Sequence, residues 1–358
     1  IIKLLKLPLV VLREIFSYMN YREVFQFSLC SKQSFYRIKS LQLVRFSNIK
    51  FVDFFYSPKE ISVTIMPKNG DHRFLDWEHI ISVIPKESEW KKFVQIEIGG
   101  KMLKVRRQTA EDKLVALYDC KSQMVPFLNV IYTHVYNLFG NDVEYRMLPA
   151  LCNEDQPKPI YENIKLSRIW VWNRDVREID EHFSSLPKQK FIELHMGTMT
   201  GRLREDSKIF ESEVVDVKDV ESPIAIVIDV LRHFNGQQAT FYTEYTDFPE
   251  ILQFMNGWKS NQSYQNLMTL EYSWKKPVSD LNALMESTEI KHTNSQMDPP
   301  VYKVYFNERD VISREFRSRS YIVREFDRKV ASLYISNKRF SFGVWNMTEE
   351  EFLDKYSG

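Results

Sequence analysis

The chain has 358 residues, with 49 Lys plus Arg against 48 Asp plus Glu for a net charge of +1, 44% apolar residues and only 10 glycines. So even a balance sets up no field for a polyanion, which argues against nucleic acid or a membrane surface as partner, and the apolar content argues against disorder. Cys30, Cys120 and Cys152 are too few and too scattered for a disulfide framework or a zinc site; no apolar run reaches the roughly 18 residues of a membrane helix, and no secretory leader is expected.

The length predicts one short module followed by a larger body. Pro8 suits the first turn of a helix in which Leu12, Ile15, Phe16 and Met19 line one face, ending near Met19. Asn20 with Glu23 three residues on has the form of a capping box, opening a second helix with Val24, Phe25, Phe27 and Leu29. Ser31 is placed to cap a third, carrying Phe35, Tyr36 and Ile38. Such a short helical unit holds more apolar surface than it can bury alone. The surplus is either a docking surface or the first layer of a larger core.

The run LPLVVLREIFSYMNYREVFQFSLCSKQSFYRIK, residues 7–39, resembles an F-box across the whole module: Leu-Pro at the start, an apolar helix with Glu-Ile, a polar turn, then Ser-Leu-Cys-Ser-Lys before an aromatic helix. The resemblance implies docking on the Skp-family adaptor, and through it on a cullin, of a ubiquitin ligase. It implies contacts at Leu7, Pro8, Leu12, Ile15, Phe16, Met19, Phe25, Leu29, Cys30 and Phe35. Met19 and Tyr21 stand where the family commonly has Leu and Pro.

Beyond this module, Ile61 to Ile65 and Val94 to Ile98 read as strands, the second closed by the turn Gly99-Gly100. Thr109 is placed to cap a helix through Tyr118, and a longer helix is expected from Val125 to Phe139, stopped by Gly140. Asn153 to Pro159 reads as a linker. Strand centres then recur near Ile169, Leu194, Val215, Phe241, Leu270, Val304 and Leu333, at intervals of 21 to 34 residues, in the range of leucine-rich-like arrays. Helices fit between them: one capped by Ser222-Pro223 with Ile224, Val227, Ile228 and Leu231, one with Phe248, Ile251, Leu252 and Met255, and one with Leu281, Leu284, Met285 and Thr288. Strand then helix, repeated, implies a mainly parallel sheet with helices behind it; an ordinary compact α/β or α+β domain is the alternative.

The expected fold class is therefore α+β, a three-helix F-box followed by an irregular leucine-rich-repeat-like α/β body. The expected division is 1–42 as F-box, 43–160 as a connecting α/β segment packed on the body, 161–346 as the repeat-like region and 347–358 as a tail. IWVW at 169–172, FPEILQFMNGWKSNQSYQNLMTLEYSW at 248–274 and YIVREFDRKVASLYISNKRFSFGVWN at 321–346 are similar to the F-box-associated type 2 region of nematode F-box proteins. That family tends to have Asp-Gly in its final hairpin where Asp327-Arg328 stands here.

No motif speaks for catalysis. Cys30 has no local His, the histidines lack metal-ligand spacing, Gly197 to Gly201 lacks the Lys-Ser/Thr of a phosphate loop, and the seven basic residues of Arg309 to Lys329 are interleaved with acids. No cofactor or metal is expected. Trp170, Trp172, Tyr242, Tyr245, Tyr272 and Trp274 lie on successive expected strands, and one member of each pair should face outward to line a protein-target site. The resulting expectation is a non-catalytic substrate receptor of a ubiquitin ligase, in cytoplasm or nucleus. A scaffold or neutraliser acting without ubiquitination, or a hydrolase or transferase with a cleft in the body, are the alternatives.

Overall fold

The computed structural model describes residues 4–57, 59–68, 77–86, 93–108, 113–151, 163–219, 225–277, 289–294, 296–304 and 314–357. The chain divides into two compact units, Ile1–Ile164 and Lys165–Gly358.

The first unit begins with α1 (Leu9–Tyr18), α2 (Tyr21–Ser28), α3 (Lys32–Leu41) and the short α4 (Leu43–Phe46). Pro8 occupies the N-cap of α1 in extended conformation, one position earlier than the sequence suggests. The Asn20–Glu23 capping box forms in full, and the Ser31 hydroxyl accepts the Ser34 N–H at 3.0 Å. Strands β1 (Ile49–Tyr56), β2 (Ile61–Pro67), β3 (Glu78–Pro85), β4 (Val94–Ile98), β5 (Lys101–Gln108), β6 (Lys113–Tyr118) and, after α5 (Met124–Phe139), β7 (Glu144–Leu151) follow. They order as β7-β1-β2-β3-β6-β5-β4, with β1–β7 and β3–β6 parallel and the other pairs antiparallel. The expected helix ending at Tyr118 does not form. Lys113–Tyr118 is hydrogen-bonded between two strands, and its Leu114, Val115 and Leu117 suit that place better than a helix. Thr109 and the linker Asn153–Pro159 lie outside the described residues.

One continuous core joins these elements. Val52, Phe54 and Tyr56 of β1 and Val63 and Ile65 of β2 meet Leu128, Ile131 and Val135 of α5 and Leu12, Phe16, Val24, Phe25 and Ile38 of α1 to α3. The N-terminal helices are thus a layer of this core rather than a free-standing module. On the opposite side of β1, Arg146 clasps Asp53 through two hydrogen bonds of 2.6 and 2.7 Å, and its guanidinium lies 3.2 Å from the Phe51 ring centroid. Both charged groups are buried.

The second unit opens as an array: β8 (Leu166–Val171), the two-residue β9 (Arg174–Asp175), α6 (Val176–Ser184), β10 (Phe191–Met196), the two-residue β11 (Met199–Thr200), β12 (Val214–Asp219), α7 (Ala225–His233), β13 (Gln238–Thr243), α8 (Phe248–Lys259) and β14 (Thr269–Trp274). Each main strand adds in parallel to the one before, β8-β10-β12-β13-β14, and the helices pack against one another along one face. The pattern stops at Trp274. Two-residue β15 (Lys291–His292) follows, then β16 (Val301–Val304) and β17 (Arg314–Arg317), which form a separate ribbon, so Val304 is not a strand of the array. Then β18 (Ser320–Val323), β19 (Lys329–Ser336) and β20 (Arg339–Thr348) return antiparallel, in the order β15-β18-β19-β20-β14. The two residues Asn337 and Lys338 joining β19 to β20 allow a hairpin and no crossover, which is why Leu333 breaks the parallel repeat. Arg328 adopts φ 59°, the left-handed conformation that glycine usually supplies, so the turn at Asp327-Arg328 keeps the geometry of Asp-Gly. The last residues form no loose tail: α9 (Glu349–Ser357) buries Phe352 against Tyr321, Val323 and Val330. Ser222-Pro223 and the segment from Leu281 to Thr288 lie outside the described residues.

Replacing Asp53 by Ala strands the Arg146 charge and should cost the first unit about 3–5 kcal/mol in urea unfolding, whereas Asp53→Leu with Arg146→Met should recover most of that loss. A single substitution that leaves the urea midpoint unchanged would show that the pair is not buried as described.

Candidate functional site

Two surfaces stand out, one in each unit. On the N-terminal helices, Leu12, Phe16 and Phe25 have no exposed surface; Leu7, Ile15, Met19, Leu29 and Phe35 are half-buried against the same core; Pro8 and Cys30 are exposed. The periodicity that singled out Leu12, Phe16 and Phe25 therefore reports the inward face. What remains in water is a second apolar set: Leu9, Val10 (76% exposed), Val11 and Tyr18 on α1, Tyr36 on α3, Leu43 and Val44 (84%) on α4. A helix with apolar residues on both sides is either sandwiched or left with a face to cover.

Beneath these helices lies the half-buried His134 of α5, its ring met edge-on by Phe25 and Phe35. The Ser28 hydroxyl donates to the Phe25 carbonyl, so its oxygen accepts from the Nε2–H of His134 at 2.8 Å, which assigns the neutral tautomer. Desolvation pushes this imidazole down to about 4. A cleft of about 710 Å³ beside it is lined by Leu29, Cys30, Phe35, Tyr36, Ile96 and His134 among others.

In the second unit, strand register separates two faces. Ile169, Leu194, Val217, Phe241, Tyr272 and Phe340 lie side by side across β8, β10, β12, β13, β14 and β20 and are buried on the helix side. Tyr272 and Trp274 share that parity and are 1% and 2% exposed, so neither can meet a target; their rings pack on Phe241 and Phe248. The intervening positions form rows on the opposite face: Arg168, Glu193, Asp216, Thr240, Glu271, Ser341, and Trp170, His195, Lys218, Tyr242, Ser273, Arg339.

Glu193 organises this face. Its carboxylate has no exposed surface and accepts from Arg168 Nε at 2.5 Å and Lys218 Nζ at 2.6 Å, with His195 Nε2 at 2.6 Å. Trp170, half-buried, stacks on His195 with centroids 5.2 Å apart. Lys218 also reaches Asp216 at 3.2 Å, and Arg339 pairs with Glu271 at 2.5 Å. Tyr242, in register with Lys218, is exposed with Lys275 near its ring; Tyr245, two residues beyond β13 with Lys276 4.2 Å above its centroid, and Trp172, directly after β8, are exposed as well. Trp172 lies against Gly197, where an added Cβ would come within 2.2 Å of the indole, so only glycine permits the contact. Exposed Trp and Tyr are the residue types enriched at protein interfaces. Trp172, Tyr242 and Tyr245, singled out by the sequence pattern, are exposed here; Glu193 and its partners are not singled out by it, although SRIW, IELH and VDVK carry charged residues next to apolar ones in plain view. Among the described residues no group of three or more His, Cys, Asp or Glu is placed to hold a metal ion.

The family model for the F-box domain matches residues 4–46, so the chain carries an F-box domain, and that domain implies binding to a Skp-type adaptor. Neither a curated protein nor a solved structure matches the chain.

Two stability measurements separate the inner and outer faces of this domain. Leu12→Ala should cost about 2–5 kcal/mol, and Val10→Asp should stay within roughly 0.5 kcal/mol of the parent; equal losses would mean α1 is mis-oriented. The depressed His134 adds a pH signature. The folded state keeps the ring neutral while the unfolded chain protonates near 6.5, so stability is full above pH 6.5 and falls as pH drops toward 4. Relative to His134→Gln, the parent should lose up to about 3 kcal/mol over that window; parallel pH curves for the two proteins would refute the assignment.

Proposed function

We propose that this chain is the substrate-recognition subunit of a Skp–cullin–F-box ubiquitin ligase, non-catalytic itself, holding the adaptor with its N-terminal helices and a protein target with the open strand face of the second unit. The observation that carries the reading is the apolar set Leu9, Val10, Val11, Tyr18, Tyr36, Leu43 and Val44, left in water within the F-box match. Helix faces of this kind are stabilised by burial in a partner's groove.

The adaptor contacts proposed are this exposed set with Pro8 and Cys30, and the accessible edges of Leu7, Ile15, Met19, Leu29 and Phe35. Leu12, Phe16 and Phe25 act behind them, fixing the helices on the sheet. The target surface proposed is Trp170, Trp172, Tyr242 and Tyr245 around the Glu193 network. The similarity of motifs within residues 161–346 to the F-box-associated type 2 region of nematode F-box proteins supports the same division of labour. Ubiquitin transfer would then be performed by other subunits, and this chain's contribution is to raise the effective concentration of target lysines near the charged enzyme. A cytoplasmic or nuclear setting suits such a complex.

Val10→Asp combined with Val44→Asp should abolish capture of the purified Skp-family adaptor while leaving the thermal midpoint unchanged. Trp172→Ala with Tyr242→Ala should retain the adaptor and lose ubiquitination of the target in cells. Full adaptor binding by the first variant would sink the proposal, and a target whose half-life ignores the adaptor would favour sequestration without degradation.

A further inference from the structure

We infer that the outer edge of the first unit's sheet, strand β4, is a self-complementary seam through which two copies of the chain pair antiparallel about Ile96. Among the described residues the sheet ends at β4. The β4–β5 hairpin is closed by Gly99 and Gly100, both with positive φ (55° and 79°), so Ile98 and Lys101 form the hydrogen-bonded pair that flanks a two-residue turn. Hydrogen-bonded and non-bonded pairs alternate along such a ladder. Val94, Ile96 and Ile98 therefore direct their backbone groups to β5, and Gln95 and Glu97 direct theirs outward, where no strand among the described residues receives them.

Edges of this kind are usually blunted by Lys, Pro, a bulge or brevity. The five residues Val94-Gln95-Ile96-Glu97-Ile98 hold no Lys, Pro or bulge, with Glu97 their one charge, and they read apolar-polar-apolar-polar-apolar about Ile96. A two-fold axis at Ile96 sets Gln95 of one copy opposite Glu97 of the other, twice. Each pair exchanges two backbone hydrogen bonds, so all four outward groups of each copy are satisfied. Centring on Glu97 would instead face two like charges, which disfavours that register. On the core side, Val94, 68% exposed in the single chain, comes opposite Ile98 of the other copy. The occupant inferred is a second copy: of the two registers compared, the one centred on Ile96 sets Gln95 against Glu97 twice and no like charges face each other, and the interface is isologous. It is small, so association should be reversible and concentration-dependent.

Sedimentation velocity of the full chain over a concentration series should show a monomer–dimer equilibrium. Gln95→Pro removes an outward N–H, which symmetry counts twice, and spares the β5 ladder; it should leave a monomer with an unchanged thermal midpoint. Gln95→Lys adds two cross-strand ion pairs to Glu97 and should tighten the dimer about 2- to 30-fold, while Gln95→Glu should weaken it by a similar factor. A parent chain that stays monomeric at its highest soluble concentration overturns the inference. So does a dimer that survives Gln95→Pro, or Lys and Glu variants that shift association the same way.

Discussion

The F-box helices are fastened to a β-sheet, and that attachment decides which of their side chains any partner can reach. Leu12, Phe16, Val24, Phe25 and Ile38 are in the same core as β1, β2 and α5. Burying a large aliphatic or aromatic side chain contributes about 1.5–3 kcal/mol, so this shared core holds the helices at a fixed angle without help from a second protein. The inward residues are committed, and the outward residues Val10, Tyr18, Leu43 and Val44 are presented in a preformed array. A partner meets a surface whose ordering entropy has already been lost on folding, which favours affinity over a module that must fold on binding.

In the second unit the corresponding constraint is strand parity. Helices cover one side of β8 to β14, so every second residue must be apolar, and the residues between them are free to carry chemistry. Glu193 sits there with its carboxylate out of water, where an unpaired charge would be costly; Arg168, Lys218 and His195 converge on it. Three side chains that would otherwise sample many rotamers are held by one buried acceptor, and Trp170 is positioned by stacking on the third. Rigidity of this kind supports the proposed target surface at Trp172, Tyr242 and Tyr245, because side chains already ordered lose less entropy on binding.

How much of this was legible in the sequence depended on whether the deciding contacts were local. The capping box at Asn20–Glu23, the Ser31 cap, the stop at Gly140 and the strands at Ile169, Leu194, Val215, Phe241 and Leu270 follow from neighbours within a few residues, and the strand–helix alternation followed from them. Lys113–Tyr118 was misread because its strand is made by β3 and β5 rather than by its own periodicity. Three of the contacts that the F-box resemblance implies, Leu12, Phe16 and Phe25, fall on buried residues, because a single helix shows that it has an apolar side and not what lies against it. Tyr272 and Trp274 erred for a related reason: aromatic content marks both cores and interfaces, and only the register with Phe241 and Phe340 shows which face they share.

Sheet edges carry the last consequence of this architecture. In the second unit the sheet runs from β14 through the antiparallel β20, β19 and β18 to the two-residue β15. Glu349, at the start of α9, joins Lys291 of β15 to Arg328. A run that short offers little backbone for another strand to join, so an antiparallel return after a parallel array works as a cap, as solenoid termini require. Among the described residues strand β4 has no comparable device: it is longer, alternates apolar and polar residues, and leaves the backbone of Gln95 and Glu97 directed outward. Among the described residues the second unit closes its edge with its own chain, whereas the first unit's β4 leaves backbone groups directed outward, and this difference is what supports the inference that β4 is an interface.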